Sequence, residues 1–132
     1  MLIYYNGSFP LSFYFNKTYI TLYNCSSCQG VSKEVYLAIS NYQLQRGMMY
    51  RNTFEGAYGM LFVFNSSQQV CMWMANTRIP LEQSWILQNG TINFIKNAKP
   101  FDLNMTCAYG NYVLETPPNT VKMKYRFFIG NV

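Results

Sequence analysis

The chain has 132 residues and a mass of 15.4 kDa, a length suited to one domain and too short for a catalytic domain coupled to a regulatory one. Half of its residues are hydrophobic and 18% are aromatic, which excludes an intrinsically disordered chain. Only 11% are charged, against a usual share of about 25%, so Asn, Gln, Ser, Thr and Tyr must make the surface polar, and such a surface is easily desolvated against a partner.

In chain order, residues 1–30 read as an N-terminal extension. Aromatic and β-branched residues dominate as far as Tyr23, with breaks at Phe9-Pro10 and Asn16-Lys17, the punctuation of two or three short strands. They would form extra sheet or an arm reaching a neighbour, with Tyr4, Tyr5, Phe13, Tyr14 and Phe15 as a partner interface. Met1-Leu2-Ile3-Tyr4-Tyr5 lacks the basic start of a secretory signal, and no run reaches the length of a membrane helix. A soluble chain without signal peptide or membrane span is expected.

Residues 31–132 read as a single β-rich domain. After a polar connection from Cys25 to Ser32, Glu34–Ile39 has strand character, and Ser40 or Asn41 caps a short helix through Arg46 that Gly47 stops. Gly59-Met60-Leu61-Phe62-Val63-Phe64 is an apolar run expected to be buried on both faces. Asn65–Gln68 turns it toward a partner strand, Val70–Met74, and Pro80 then interrupts regular pairing. Glu82–Leu87 and Thr91–Lys96 flank Asn89-Gly90, the signal of a two-residue hairpin turn. Tyr112–Glu115 and Lys122–Ile129 complete the strands, separated by Pro117-Pro118.

From Val35 onward these segments resemble a known family, the small prokaryotic and phage domains of unknown function 192. Arg46-Gly47-Met48-Met49-Tyr50-Arg51, Gly59-Met60-Leu61-Phe62-Val63-Phe64, Trp73-Met74-Ala75-Asn76-Thr77-Arg78-Ile79-Pro80-Leu81-Glu82 and Tyr112-Val113-Leu114-Glu115 occur in the order of its signature elements. The resemblance implies a compact, mainly β fold and does not point to any particular activity. Glu82 stands where the family usually has Asp. The expected architecture is a sandwich or barrel-like domain, α+β at most, with one or two short helices and an N-terminal β extension.

The net charge of +5 suggests an anionic partner, yet the basic residues hardly cluster. Lys122-Met123-Lys124-Tyr125-Arg126 alternates as one face of an edge strand whose lysines discourage aggregation, which leaves nucleic acid an unfavoured partner. Cys25 and Cys28 form a C-x-x-C, but no second close pair and no histidine accompany it. No metal site or cofactor is therefore expected, and the four cysteines read as small buried or idle thiols.

Three functions compete. A non-enzymatic interaction or structural protein, such as a decorating component of a phage or viral particle, suits the low charge, the extension and the excess of Asn, Tyr, Phe and Ile that an AT-rich coding sequence yields. A module for a small ligand or carbohydrate would use Trp85 with Asn76, Thr77 and Arg78. Trp73 and Trp85 would be its stacking platforms; the competing reading has Trp73 filling the core and Asn76-Thr77 forming a side-chain-capped turn. An enzyme would use Glu82 and Glu115 as acid and base if they converged; otherwise a carboxylate beside the Pro80 bend accepts backbone N–H groups or pairs with Arg46, Arg51 or Arg78.

Overall fold

Strand periodicity decides the architecture, because the central strands carry apolar residues at both parities and must bury both faces. The computed structural model describes residues 9–132. In chain order the elements are α1 (Leu11–Tyr14), β1 (Asn16–Tyr23), β2 (Val31–Ala38), α2 (Asn41–Arg46), β3 (Gly59–Met72), β4 (Leu81–Ile86), β5 (Ile92–Ala98), β6 (Thr106–Thr116) and β7 (Arg126–Phe128). The seven strands form one sheet in the order β5-β4-β6-β3-β2-β1-β7. All pairs are antiparallel except β2 with β3, and α2 lies in that parallel crossover.

The sheet curls into a half-barrel. One core cluster takes side chains from every strand, among them Ile20, Leu37, Leu61, Ile86, Ile92, Leu114 and Phe127, and fills the inside of the curl. The opposite cluster joins Tyr36, Met60, Phe62, Leu81, Trp85 and Val113 to Leu11, Phe15, Met48, Phe54 and Met74 of the flanking helices and loops. The Gly59–Phe64 run thus serves both cores, with Met60 and Phe62 on one side and Leu61 on the other. The two edges meet at a single bridge, Thr91 to Arg126, beside which the Phe127 N–H donates to the Gly90 carbonyl at 2.9 Å.

Helix α2 forms as its sequence requires. The Gln43 N–H donates to Ser40 Oγ at 3.2 Å, the Ser40 N–H donates to Gln43 Oε1 at 3.1 Å, and Gly47 ends the helix at φ 43°. A Cβ at Gly47 would stand 2.7 Å from the Phe62 ring.

Five expectations are corrected. The stretch after Pro10 is one helical turn rather than strand: aromatic strand propensity yields to burying Leu11 and Phe15 in the outer core, with the Leu11 N–H donating to Glu55 Oε2 at 2.7 Å. Asn65–Gln68 is not a hairpin turn. Both halves of β3 pair with β6, Met60–Val63 against Tyr112–Glu115 and Gln68–Met72 against Thr106–Gly110, and the polar residues form the irregularity between them. Asn111 supports it by accepting from Ser67 Oγ at 2.7 Å.

Between β4 and β5 the turn holds three residues, not two: Gln88 to Gly90, between the bonded pair Leu87 and Thr91. Only Gly90 there has positive φ (90°), and the Gly90 N–H donates to Leu87 O and the Leu87 N–H to Thr91 O, as in a turn closed by a glycine bulge. Lys122–Tyr125 is a turn closed by the Tyr125 N–H on Lys122 O, so the supposed basic strand face is absent and β7 begins at Arg126. Finally, the cysteines are paired. Cys25 is joined to Cys28, and Cys71 to Cys107, its register partner across β3 and β6. A 36-residue separation hides such a neighbour from any reading of spacing.

Of the N-terminal extension, residues 16–23 belong to the sheet, where β1 pairs with both β2 and β7. Phe15 is buried, Tyr14 half-buried, and Phe13 is 55% exposed with its ring stacked on Phe9 at 4.8 Å. Tyr4 and Tyr5 lie outside the described residues.

At Gly90 an added Cβ would fall 1.8 Å from the Phe127 carbonyl oxygen. Gly90→Ala should therefore part the seam and lower stability by about 2 kcal/mol or more. Urea unfolding checks the magnitude, and faster amide exchange at Phe127 checks the place.

Candidate functional site

Side chains alternate between faces along a strand, so neighbouring positions on paired strands are separated by the sheet itself. Glu82 lies opposite Thr116 and Gln83 opposite Glu115. Glu82 therefore faces the inside of the curl with Ile86 and Leu114, whereas Glu115 shares the outer face with Gln83, Trp85 and Val113. The two carboxyls do not converge, and the acid/base pairing is corrected by strand parity.

Glu82 holds backbone. Its Oε1 accepts from the Val121 N–H at 2.6 Å and the Thr120 N–H at 3.2 Å, and its Oε2 accepts from the Asn119 N–H at 3.1 Å. Three donors after Pro117-Pro118 are thus satisfied by one buried carboxylate, the structural alternative the Pro80 bend suggested.

Glu115 stands in a different setting. It is fully buried, with Gln83 Nε2 donating to its Oε2 at 2.8 Å, and it lines a cleft of about 530 Å³ between α2 with the residues after it and the far half of β3. Burial pushes its carboxyl from an ordinary 4.5 up to about 7, only partly opposed by the Gln83 hydrogen bond. Arg46 lines the same cleft, its Nε buried without a hydrogen-bond partner and its guanidinium carbon 5.3 Å from the Tyr42 ring centre. The remaining wall is mostly apolar: Leu44, Met48, Met49, Phe62, Met72 and Met105, with Trp73 46% exposed. A second cavity of similar volume lies by the seam among Tyr23, Lys124, Arg126 and Phe128, with no carboxyl in its lining.

The expected ligand residues do not assemble. Trp85 is wholly buried and its indole N–H donates to Val70 O at 3.0 Å, so no ligand can stack on it. Trp73, expected in the core, is the exposed one, because β3 ends just before it. Asn76, at φ 54°, occupies the third position of a turn closed by the Thr77 N–H on Met74 O. Its carbonyl accepts from the Tyr50 N–H at 2.9 Å. Thr77 is buried at the cleft, its Oγ1 donating to Ala75 O, and the Arg78 guanidinium lies 5.9 Å from the Tyr50 ring centre.

Arg46, Gln83 and Trp73 belong to the cleft's chemistry; the sequence offers Trp73 as a stacking surface and Arg46 as a carboxylate partner, and Gln83 is the one it does not single out. A signal existed for Gln83: it is a polar residue at the same parity as Leu81 and Trp85, where the outer core demands an explanation for an amide. Among the described residues no cluster of three or more His, Cys, Asp or Glu side chains is placed to hold a metal, and no helix is long and apolar enough to cross a membrane.

Fold and cleft together define a small β domain of the half-barrel type with a buried carboxyl at an open groove. The chain belongs to the family of domains of unknown function 192, described as an uncharacterized ACR, whose family model matches residues 24–125. Among solved structures it is similar to a Sinorhizobium meliloti 1021 protein carrying the provisional name of transcription regulator. The two are 32% identical, with a TM-score of 0.77 over 86% of this chain and 93% of that one. A protein of unknown function from Novosphingobium aromaticivorans DSM 12444 shares the fold at 22% identity and a TM-score of 0.74, over 86% and 85% of the respective chains. No curated protein matches the sequence significantly.

Two outcomes follow from the carboxyls. Glu82→Gln sets an amide N–H₂ among three N–H donors and should destabilise the domain by about 2–4 kcal/mol, read by urea unfolding, with amide exchange accelerated at 119–121. Glu115 binds its proton more tightly folded than unfolded, so its contribution is intact below about 4.5 and is lost as pH rises to about 7, a loss on the order of 3 kcal/mol. Glu115→Gln should remove that slope, and its stability relative to the parent should rise across this window and level off above it.

Proposed function

We propose that this domain is a non-enzymatic binding module that takes a small organic ligand into the cleft beneath Trp73. One observation carries the reading: a buried carboxyl with the Gln83 amide as its protein partner stands at the wall of an open, mostly apolar groove. A few polar groups converging on an apolar concavity are what small-ligand sites have in common. Burying Glu115 costs stability near neutral pH, and a ligand that completes its hydrogen bonding offsets that cost. An exposed Trp at the rim supplies a flat apolar surface at low entropic cost. The name of the Sinorhizobium meliloti relative accords with such a module serving as the effector-binding part of a regulator.

A second reading treats the domain as a protein-binding component of a larger assembly, a virion among the possibilities. It is favoured by exposed apolar side chains, Trp73 and Met105 in the cleft lining and Phe101 and Leu103 on the loop that leads to Met105. The loop bearing three of them is tied to the Asn76 turn by the Phe101 N–H on Thr77 O and the Met74 N–H on Asp102 O. A partner's apolar side chain would then enter the groove.

Trp73 and Trp85 are the two tryptophans, one exposed and one buried, so a change in exposed-tryptophan emission reports occupancy. A screen of small metabolites by fluorescence and amide NMR should yield ligands that perturb residues 44–49, 72–73 and 115 together. Trp73→Ala should weaken them by about tenfold. Perturbations confined to the seam between β5 and β7, or binding indifferent to Trp73, would overturn the reading.

A further inference from the structure

The cleft carries two ionisable groups of opposite sign that do not pair with each other. Arg46 and Glu115 are the charged residues in its lining, and the salt bridge among the described residues is elsewhere, between Lys17 and Glu34. Each is left incomplete by the protein. Glu115 is buried with Gln83 Nε2 on one oxygen, and Arg46 Nε is buried with no acceptor. A buried donor and a buried carboxyl, on two residues that line one groove, are each costly unless something supplies their partners. Apolar contacts from Met48, Met72, Met105 and Trp73 flank them.

We infer that the ligand of this cleft is an organic zwitterion with an apolar body, of the size of an apolar amino acid, its ammonium set against Glu115 and its carboxylate against Arg46. The inference rests on the cleft being the binding site. A simple amine would satisfy Glu115 but face the arginine's charge, and a simple carboxylate would satisfy Arg46 but leave Glu115 without a cation. The zwitterion answers both at once, since charge-assisted hydrogen bonds form at each end and the net charge brought in is zero. The methionines suit side chains of varied outline, because an unbranched thioether adapts its packing.

Occupancy also changes the protonation of the wall. Free Glu115 keeps its proton up to about pH 7, and pairing with an ammonium requires it to give that proton up, so affinity must fall as pH drops below that value. Glu115 is the one carboxyl in the lining of the groove.

The test is calorimetric titration of the full chain with L-methionine and L-leucine beside two single-charge analogues, 3-methylbutylamine and 4-methylpentanoate, at pH 6 and pH 8. The amino acids should bind at least tenfold more tightly than either analogue, and about tenfold more weakly at pH 6 than at pH 8. Glu115→Gln should cost tenfold or more and abolish the pH dependence. Arg46→Gln, at the half-exposed end of α2, should cost a similar factor while keeping it. A melting curve establishes that each variant is folded. An analogue binding as tightly as the amino acids, or amino-acid affinity independent of pH, overturns the zwitterion and leaves the cleft reading standing. Failure of all four compounds, with a partner peptide alone altering Trp73 emission, overturns the small ligand itself.

Discussion

The antiparallel pairing of β4 with β6 sets the character of the whole domain. Where the two strands pair, both faces of the sheet are buried, so residues there have to be accounted for by one core or the other, and Leu81–Ile86 is buried at all six positions. Polar residues admitted there must bring their own partners. Glu82 meets this demand with three backbone N–H groups from the 119–121 loop, and so joins the end of the curl to the sheet. Glu115, one position out of step with it across the ladder, has one side-chain partner and a groove in front of it. A single register thus assigns one carboxyl to architecture and leaves the other for recognition.

Much of the fold was legible because local chemistry and tertiary need agree. The Ser40–Gln43 cap, Gly47 and the Gly59–Phe64 run each state in a few residues what the structure does with them. The failures share a cause: they depend on which strand lies beside which. Asn65–Gln68 looks like a turn until β6 is seen to pair with both flanks, and Cys71 and Cys107 look idle until the same ladder sets them opposite each other. Trp73 and Trp85 exchange roles for the same reason, since Trp85 shares parity with Leu81 in the outer core and Trp73 stands just past the end of β3.

For the candidate site, Glu115 was legible as a residue but not in its role. Its companion was chosen by motif membership, which put it with Glu82, whereas alternation along β4 puts it with Gln83. Arg46 was legible as the end of α2, and the crossover between the parallel strands β2 and β3 brings that end over the sheet. The scarcity of charge has two explanations in the described part of the chain. Two of the five acidic residues are consumed in the interior, and β4, with the adjoining stretches Gly59–Phe62 and Val113–Thr116, is buried on both faces and leaves charge no solvent side.

The Cys71–Cys107 bond has a topological meaning besides its place in the ladder. It makes a covalent ring of the chain between its ends, and that ring carries Trp73, the Asn76 turn, β4, β5 and the exposed loop through Met105. Closing a ring of about this length removes conformational freedom from the unfolded chain equivalent to about 4 kcal/mol. Such a bond persists in oxidising surroundings and is opened by cytosolic reductants. The same polypeptide therefore has two unfolded references, and the durability of the groove's outer wall is a property of the compartment as well as of the sequence.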